Sequence, residues 1–512
     1  MAKKHRVGSI AFLALTLVVL ASLLVGGCGA AATATPAPAA TEAPAATQAP
    51  AATEAPAATE APAATEAPAA TEAPAATAAT EAPAAAAGPR QLTSETITLQ
   101  VNWWGEQEAP GMDGWMKESA KLYTEQHPNI KVVTNLLPTD DIYTSFKASV
   151  AAGNPPDIQI LWGGVLGLEE AWAGNLAPID AYWTKEELGH LLPPNRAEGY
   201  WNGHQWLVPQ YQDAWLMAYN KKIFAEAGAD PAKPPTTWDE LITILEKIRD
   251  LNKGYVPFSM GVKDGYMGGW WPSLIGIQYL DSIAELHKAV LGEAKMTDPQ
   301  FAGYWNQIKE LMDKKLLNED AGSLDLATGN DAFMNGNVGV VFGVQPLIHG
   351  YVTQMGEATV GAMLTPAPPS PGKLAGKLPV PGVDLAIPAL SKHKVEAADF
   401  LAFLHSPERT NSMYLHGSAL PGNDQLDASI IKNGVDKQIA EWALQDSGPT
   451  YNWNYPGDFE NGLYAIAQLF IAGKIGPAEA AQQYEDVAAK WRATNPKGIE
   501  NFKIWANETP PQ

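Results

Sequence analysis

Tryptophan followed by glycine occurs at two points where the chain should turn out of a strand. They are Trp103-Trp104-Gly105, which runs on into Glu106-Gln107, and Trp162-Gly163-Gly164. Tryptophan joins a wide apolar face to one N–H donor and is rarely fully buried, while glycine lets a second molecule approach the backbone. The same residue types return in Gly268-Gly269-Trp270-Trp271 and in Tyr451-Asn452-Trp453-Asn454. A pyranose ring presents C–H groups on one face and hydroxyls at its rim, so an aromatic plane beside carboxylates and amides matches it chemically. Covering about 80 Å² of apolar surface per stacked ring, at about 25 cal/mol per Å², contributes roughly 2 kcal/mol. The expected stacking or wall residues are therefore Trp103, Trp104, Trp162, Trp270, Trp271 and Trp453. The expected polar contacts are Glu106, Gln107, Gln210, Asp213 and Asp384, with Tyr143 and Gly163 beside them.

Catalytic motifs are mostly absent from the chain. There is no Gly-x-Ser-x-Gly elbow, no His-Glu-x-x-His and no phosphate-binding loop, and the nine histidines have no metal-ligand spacing. The expectation is a binding protein without cofactor or metal. Two alternatives stay open. A tryptophan cage also suits a quaternary amine, and Glu106, Asp213 and Asp384 resemble the acid and base that flank a glycosidic bond in a hydrolase.

The elements that must position these groups alternate. Ile97, Leu99 and Val101 read as a strand, and Trp115, Met116, Leu122 and Tyr123 recur at helical spacing up to Pro128. Ile130 to Val133 make a second strand, a helix carries Tyr143, Phe146 and Val150, and Asp157 to Trp162 form a third strand. In open, mostly parallel sheets, ligands collect beyond the carboxyl ends of the strands, where both Trp-Gly sequences fall. Further along, Thr237-Trp238-Asp239-Glu240 is a capping box, followed by Leu241, Ile244, Leu245 and Ile248 on one helix face.

The chain is organised around Trp206 to Gly228. Its first half, with Pro209, Gln210, Gln212 and Asp213, reads as an extended crossing between two bodies; its second half, Tyr219-Asn220-Lys221-Lys222 to Gly228, reads as a strand feeding a short helix with a glycine stop. This run resembles the signature of the family 1 extracellular solute-binding proteins, the carbohydrate-binding components of ABC importers, and the resemblance extends over about Ile97 to Thr494. It implies an α/β, two-lobed, periplasmic-binding-protein-like fold, similar to maltose-binding protein, with a ligand cleft between lobes joined by hinge crossings. Lobe 1 is expected at about 92–210 and 340–390, and lobe 2 at about 211–339 and 391–512. Pro379 to Pro388, with Gly382-Val383-Asp384, resembles the return crossing. The family commonly has an aromatic near Gln345; its absence here leaves Phe342 or Gln345 itself as the contact. The resemblance further implies a sugar or oligosaccharide ligand, a membrane permease as partner, hinge closure on the ligand, and a monomer.

Composition narrows the partners. Lys+Arg 34 against Asp+Glu 56 gives a net charge of -22, which disfavours nucleic acid, whose phosphates need clustered cations. A chain of 512 residues exceeds what one core supports, so two lobes are expected. Lys3, Lys4, His5 and Arg6 precede an apolar stretch from Ile10 to Val25, and Val25-Gly26-Gly27-Cys28 resembles a lipoprotein cleavage site. Residues 1–27 then form a signal peptide and Cys28, the only cysteine, is lipidated. Residues 28–91 are an Ala/Thr/Pro/Glu linker with a six-residue repeat starting at Thr41, able to reach on the order of 180 Å if extended. The expected location is the outer face of the cell membrane, held by lipid, with a solute-binding domain from residue 92 to 512.

Overall fold

The computed structural model describes residues 90–511. The expected signal peptide, Cys28 and the repeat linker to residue 89 lie outside the described residues. Arg90 belongs to the folded part, because its guanidinium pairs with Glu187 at 2.8 Å and with Asp399 at 2.9 Å. The linker expected to run to residue 91 therefore stops short of Arg90.

Two sheets organise the molecule. The first has the spatial order Leu420–Pro421, Val208–Gln212, Gly382–Pro388, Ile158–Trp162, Ile97–Trp103 and Ile130–Leu136, with Leu176–Ala177 beside Gly382–Pro388. Ile97–Trp103 runs parallel to both neighbours, in register from Ile97 opposite Ile130 to Trp103 opposite Leu136. Gly382–Pro388 returns antiparallel between Ile158–Trp162 and Val208–Gln212, with a register shift at Val383/Asp384. The helix Met112–Gln126 buries Met112, Trp115, Met116, Ser119, Ala120 and Tyr123, the inward stripe of a 3.6-residue period. The apolar ones join Leu99, Val101, Ile158 and Leu385 in the core of lobe 1.

The second sheet has the order Val360–Met363, Trp215–Asn220, Val338–Val344, Val256–Ser259. Asn220 ends its strand and caps the helix Lys221–Glu226, its side chain accepting from the N–H groups of Lys222 and Ile223. Gly228 follows at φ 73, the left-handed stop that ends this short helix. The box at Thr237 and Glu240 caps the helix Trp238–Asp250, whose Leu241, Leu245 and Ile248 are buried. C-terminal helices complete lobe 2, among them Gly457–Ile471 and Pro477–Thr494, which pack on each other and around Tyr266–Leu274 and Pro299–Asp313.

The lobe boundaries differ from those expected. Val338–Val344 is buried at every position and pairs with Trp215–Asn220 and Val256–Ser259, so the strand near residue 340 belongs to lobe 2. Conversely, Ala397, Ala398, Phe400, Leu401 and Met413, on the helices Lys394–Leu404 and Pro407–Gly417, share the core of lobe 1 with Leu99 and Trp115. A continuously apolar strand shows that it is buried on both faces but not which sheet receives it. The chain passes between the sheets at Asp213–Ala214 and again over 364–381, and over 422–433 it leaves the first sheet for the helix Gly434–Gln445, whose Val435 and Ile439 join the other core. Among the described residues no helix is long and apolar enough to cross a membrane.

Candidate functional site

The carboxyl ends of Ile97–Trp103 and Ile158–Trp162, the crossing at Asp213 to Trp215, the helix Tyr266–Leu274 and the segment Asn452–Asn454 converge on one buried chamber of about 50 Å³. Its wall holds Trp104, Trp162, Trp215, Trp270 and Trp453, with Glu108, Asp213, Tyr266, Asn452, Glu460 and Tyr464. A more open cleft of about 430 Å³ shares Thr139, Trp162, Leu166, Tyr266, Glu460 and Tyr464 with it and adds Tyr143, Lys147 and Glu169. The chamber has room for a few waters but not for a pyranose. Admitting a larger ligand requires the lobes or the rings to part.

The rings form a continuous chain. Trp104 meets Trp162 edge to face at 4.8 Å, and Trp162 meets Trp453 at 5.9 Å. Trp453 meets Trp215 at 5.5 Å, Trp215 meets Trp270 at 5.3 Å, and Trp270 meets Tyr266 at 6.0 Å. Lobe 1 supplies the first pair of tryptophans and lobe 2 the others, so opening the lobes breaks the chain between Trp162 and Trp453. Trp453 also donates its Nε1–H to the carbonyl of Gly382 at 2.7 Å, the first residue of the strand Gly382–Pro388, so the segment expected as a return crossing is for the most part a strand of lobe 1. Gly164 shows how tight this seam is: at φ 61, an added Cβ would lie 2.0 Å from the Trp453 carbonyl oxygen.

The polar groups are held in part and left open in part. Trp215 donates Nε1–H to Asp213 Oδ2 at 2.7 Å, and Asp213 Oδ1 has no partner. The Glu108 carboxyl faces that of Asp213, so burial first, and then the neighbouring charge, hold Glu108 well above the usual carboxylate range. Asp213 is pushed up to about 6 by burial, against the hydrogen bond from Trp215. Glu460 Oε1 accepts from Asn452 at 2.7 Å and from Tyr464 at 2.5 Å, while Oε2 has no partner; burial raises this acid too. At the rim, Thr139 accepts from Trp104 Nε1 at 3.1 Å and donates to Gln107 Oε1 at 2.9 Å, and Gln107 Nε2 donates to Tyr266 Oη at 3.0 Å. This relay latches lobe 1 to lobe 2.

The structure brings together Trp104, Trp162, Asp213, Trp270 and Trp453 on the chamber wall, with Tyr143 in the outer cleft, Gln107 at the rim and Gly163 against the Trp453 ring. Other expected contacts sit elsewhere. Trp103, the last residue of its strand, is buried in the lobe 1 core and lies off the chamber wall, whereas Trp104, the next residue, packs on that core and also reaches the wall. Trp271, one helical step from Trp270, packs on Trp305 at 6.0 Å, and Phe342 packs on Phe258 at 5.0 Å in the lobe 2 core. Glu106 is spent on the helix start, accepting from the N–H groups of Gly111 and Asp113. Gln210 lies buried against Met413, and Gln345 and Asp384 are fully buried near the crossings, off the chamber wall. Glu108, Trp215, Tyr266, Asn452, Glu460 and Tyr464 were not anticipated. The i, i+4 pair Glu460 and Tyr464 carried a helical signal, and Trp215 stands in strand alternation with Asp213.

Residues 106–410 match the family model described as bacterial extracellular solute-binding protein. The chain belongs to that family. A family relative in Pyrococcus horikoshii, an uncharacterized ABC transporter extracellular-binding protein, is 27% identical over 224 residues, 40% of this chain and 48% of its own. The maltotriose-binding protein of Pyrococcus abyssi is 34% identical over 133 residues, 26% of this chain and 27% of its own. The chain thus spans about half or less of the length of these relatives. A solved chitin oligosaccharide binding protein superposes with a TM-score of 0.68 at 19% identity, covering 78% of this chain and 99% of that one. The two-lobed α/β fold of maltose-binding-protein-like receptors is the fold of this family member.

Proposed function

We propose that this solute-binding protein captures a sugar or oligosaccharide between its lobes and delivers it to an ABC importer. The observation that carries the reading is the chain of rings from Trp104 to Tyr266 built by both lobes around buried carboxyls and an amide. Indole faces cover the C–H patches of a sugar ring, while Asp213 Oδ1 and Glu460 Oε2 offer acceptors to its hydroxyls. Because neither lobe makes the whole wall, ligand favours the closed form, the differential contact that a hinge needs. Relatives named for maltotriose and chitin oligosaccharides support the ligand class. Within this reading the protein binds and releases its ligand without cleaving it, and lipid on Cys28 tethers it to the outer face of the membrane as a monomer beside the permease.

The test is a thermal-shift screen of the full chain against mono-, di- and oligosaccharides, with betaine, choline and phosphate as controls. A ligand that binds only the folded state adds about 2.7 kcal/mol at a hundredfold excess over Kd, a rise of several degrees. A rise with one sugar and its relatives is expected. Shifts confined to quaternary amines, or reducing ends released from an oligosaccharide, overturn it. For the tether, Cys28→Ser should release the protein into the medium or leave an unprocessed precursor; a processed, membrane-bound variant refutes it.

A further inference from the structure

Three carboxyls line the chamber, and all are nearly dry: Asp213 is 4% exposed, Glu108 6% and Glu460 7%. Among the described residues on that wall there is no lysine, arginine or histidine. The nearest cation in the adjoining cleft, Lys147, reaches out to Glu170 with a side chain 66% exposed. Buried carboxylates are ordinarily paired, and Asp213 Oδ1 and Glu460 Oε2 accept no well-formed hydrogen bond and face no cation; the groups beside them are the Glu108 carboxyl and the Tyr455 hydroxyl. Neutral hydroxyls satisfy lone pairs but supply no opposite charge, so with a neutral sugar the chamber keeps either a buried anion or a shared proton. A protonated amine supplies both the charge and three donors. The tryptophan faces add to it, since the negative face of an indole attracts a cation and does so most strongly away from water.

Resting on the sugar reading above, we infer that the chamber selects a sugar carrying a protonated amine, its nitrogen held between Asp213, Glu108 and Glu460 within the ring of tryptophans. The neutral neighbours Tyr266, Asn452 and Tyr464 then serve the hydroxyls of the same ligand. The net charge of -22 favours the approach of such a cation.

The experiment is titration calorimetry on the full chain with matched pairs: glucosamine against glucose, chitosan disaccharide against cellobiose, with choline as a cation that has no sugar ring. The amino member of a pair is expected to bind about tenfold or more tightly than its hydroxyl counterpart at neutral pH. That preference should vanish above the amine's own pKa, and in Asp213→Asn or Glu108→Gln the amino member should lose more affinity than its hydroxyl counterpart, so that the ratio within a pair falls towards one. A hydroxyl member that binds as well as the amino one overturns the inference and leaves the sugar reading standing. Choline binding without any sugar binding overturns the sugar reading, and silence from all five compounds overturns the inference. The wild-type ligand comparison decides the matter even where a variant folds poorly.

Discussion

Two concavities of the described structure differ in every respect that matters for binding. The groove on the outer side of lobe 1 is the larger, about 550 Å³, and is lined by exposed Thr98 and Gln100 with Asn102, Asn135, Lys392 and His393. The chamber between the lobes is about 50 Å³ and is walled by tryptophans and buried acids. Water already solvates the groove's amides, so a ligand there exchanges one set of hydrogen bonds for another at little net gain. The chamber's acids have lost their water, and Asp213 and Glu460 each keep one oxygen without a hydrogen bond, while aromatic rings wall the space, so a ligand there gains both aromatic contact and charge-assisted bonds. Size alone therefore ranks the two regions in the wrong order, and desolvation ranks them correctly.

The sharpest way to break this contrast is to remove the ring that joins the lobes. Trp453→Ala deletes contacts to Trp162 and Trp215 and the bond to Gly382, and should cost about 3–5 kcal/mol in urea unfolding as well as abolishing ligand affinity. If stability and affinity are both retained, the seam is not the closing contact. Asp213→Asn keeps an oxygen for Trp215 but removes the buried charge; affinity should fall by about 1–3 kcal/mol in calorimetry while the protein without ligand becomes more stable near neutral pH.

The pH profile refines that point. Glu108 and Asp213 both titrate higher in the folded state than in the unfolded chain, so the native protein holds more protons between pH 4 and about 6. Their favourable contribution is complete below about pH 4 and is lost as pH rises through the folded values. Stability in the absence of ligand should accordingly fall from pH 4 towards 7, and the fall should be shallower in Asp213→Asn; equal slopes would show that these acids are not buried together. A smaller effect belongs to the rim. Gln107→Ala removes an exposed bond to Tyr266 and should weaken affinity by less than about 1.5 kcal/mol, mainly through faster release in stopped flow. Smallest of all, Gln100→Ala and Lys392→Ala in the outer groove should leave affinity within about 0.5 kcal/mol of wild type; a large loss there would make the groove part of the site.

Much of the framework was legible in the residues. Alternation and helical spacing place the strands Ile97–Trp103, Ile130–Leu136 and Ile158–Trp162 and the helix between the first two, and the capping box at Thr237 lies where its chemistry demands. Asp213 and Trp453 belong to polar or aromatic runs at a crossing and a loop, and both reach the chamber wall. What misled was adjacency. Trp103 and Trp104, Trp270 and Trp271, and Glu106, Gln107 and Glu108 are chain neighbours of one chemical type, yet one member of each pair or triplet is core or cap and another faces the chamber.

By itself the sequence determined many of the strands and helices, the first crossing near Asp213, and that aromatic and acidic groups gather beside strand ends and loops, because periodicity, caps and glycine stops are local properties. Only the tertiary structure decided which sheet accepts Val338–Val344, which tryptophan of a pair turns toward the cleft, and that Glu108 meets Asp213 while Glu460 arrives from a distant helix. Those outcomes depend on strand pairing and on the direction of side chains relative to a core that exists only once both lobes have packed.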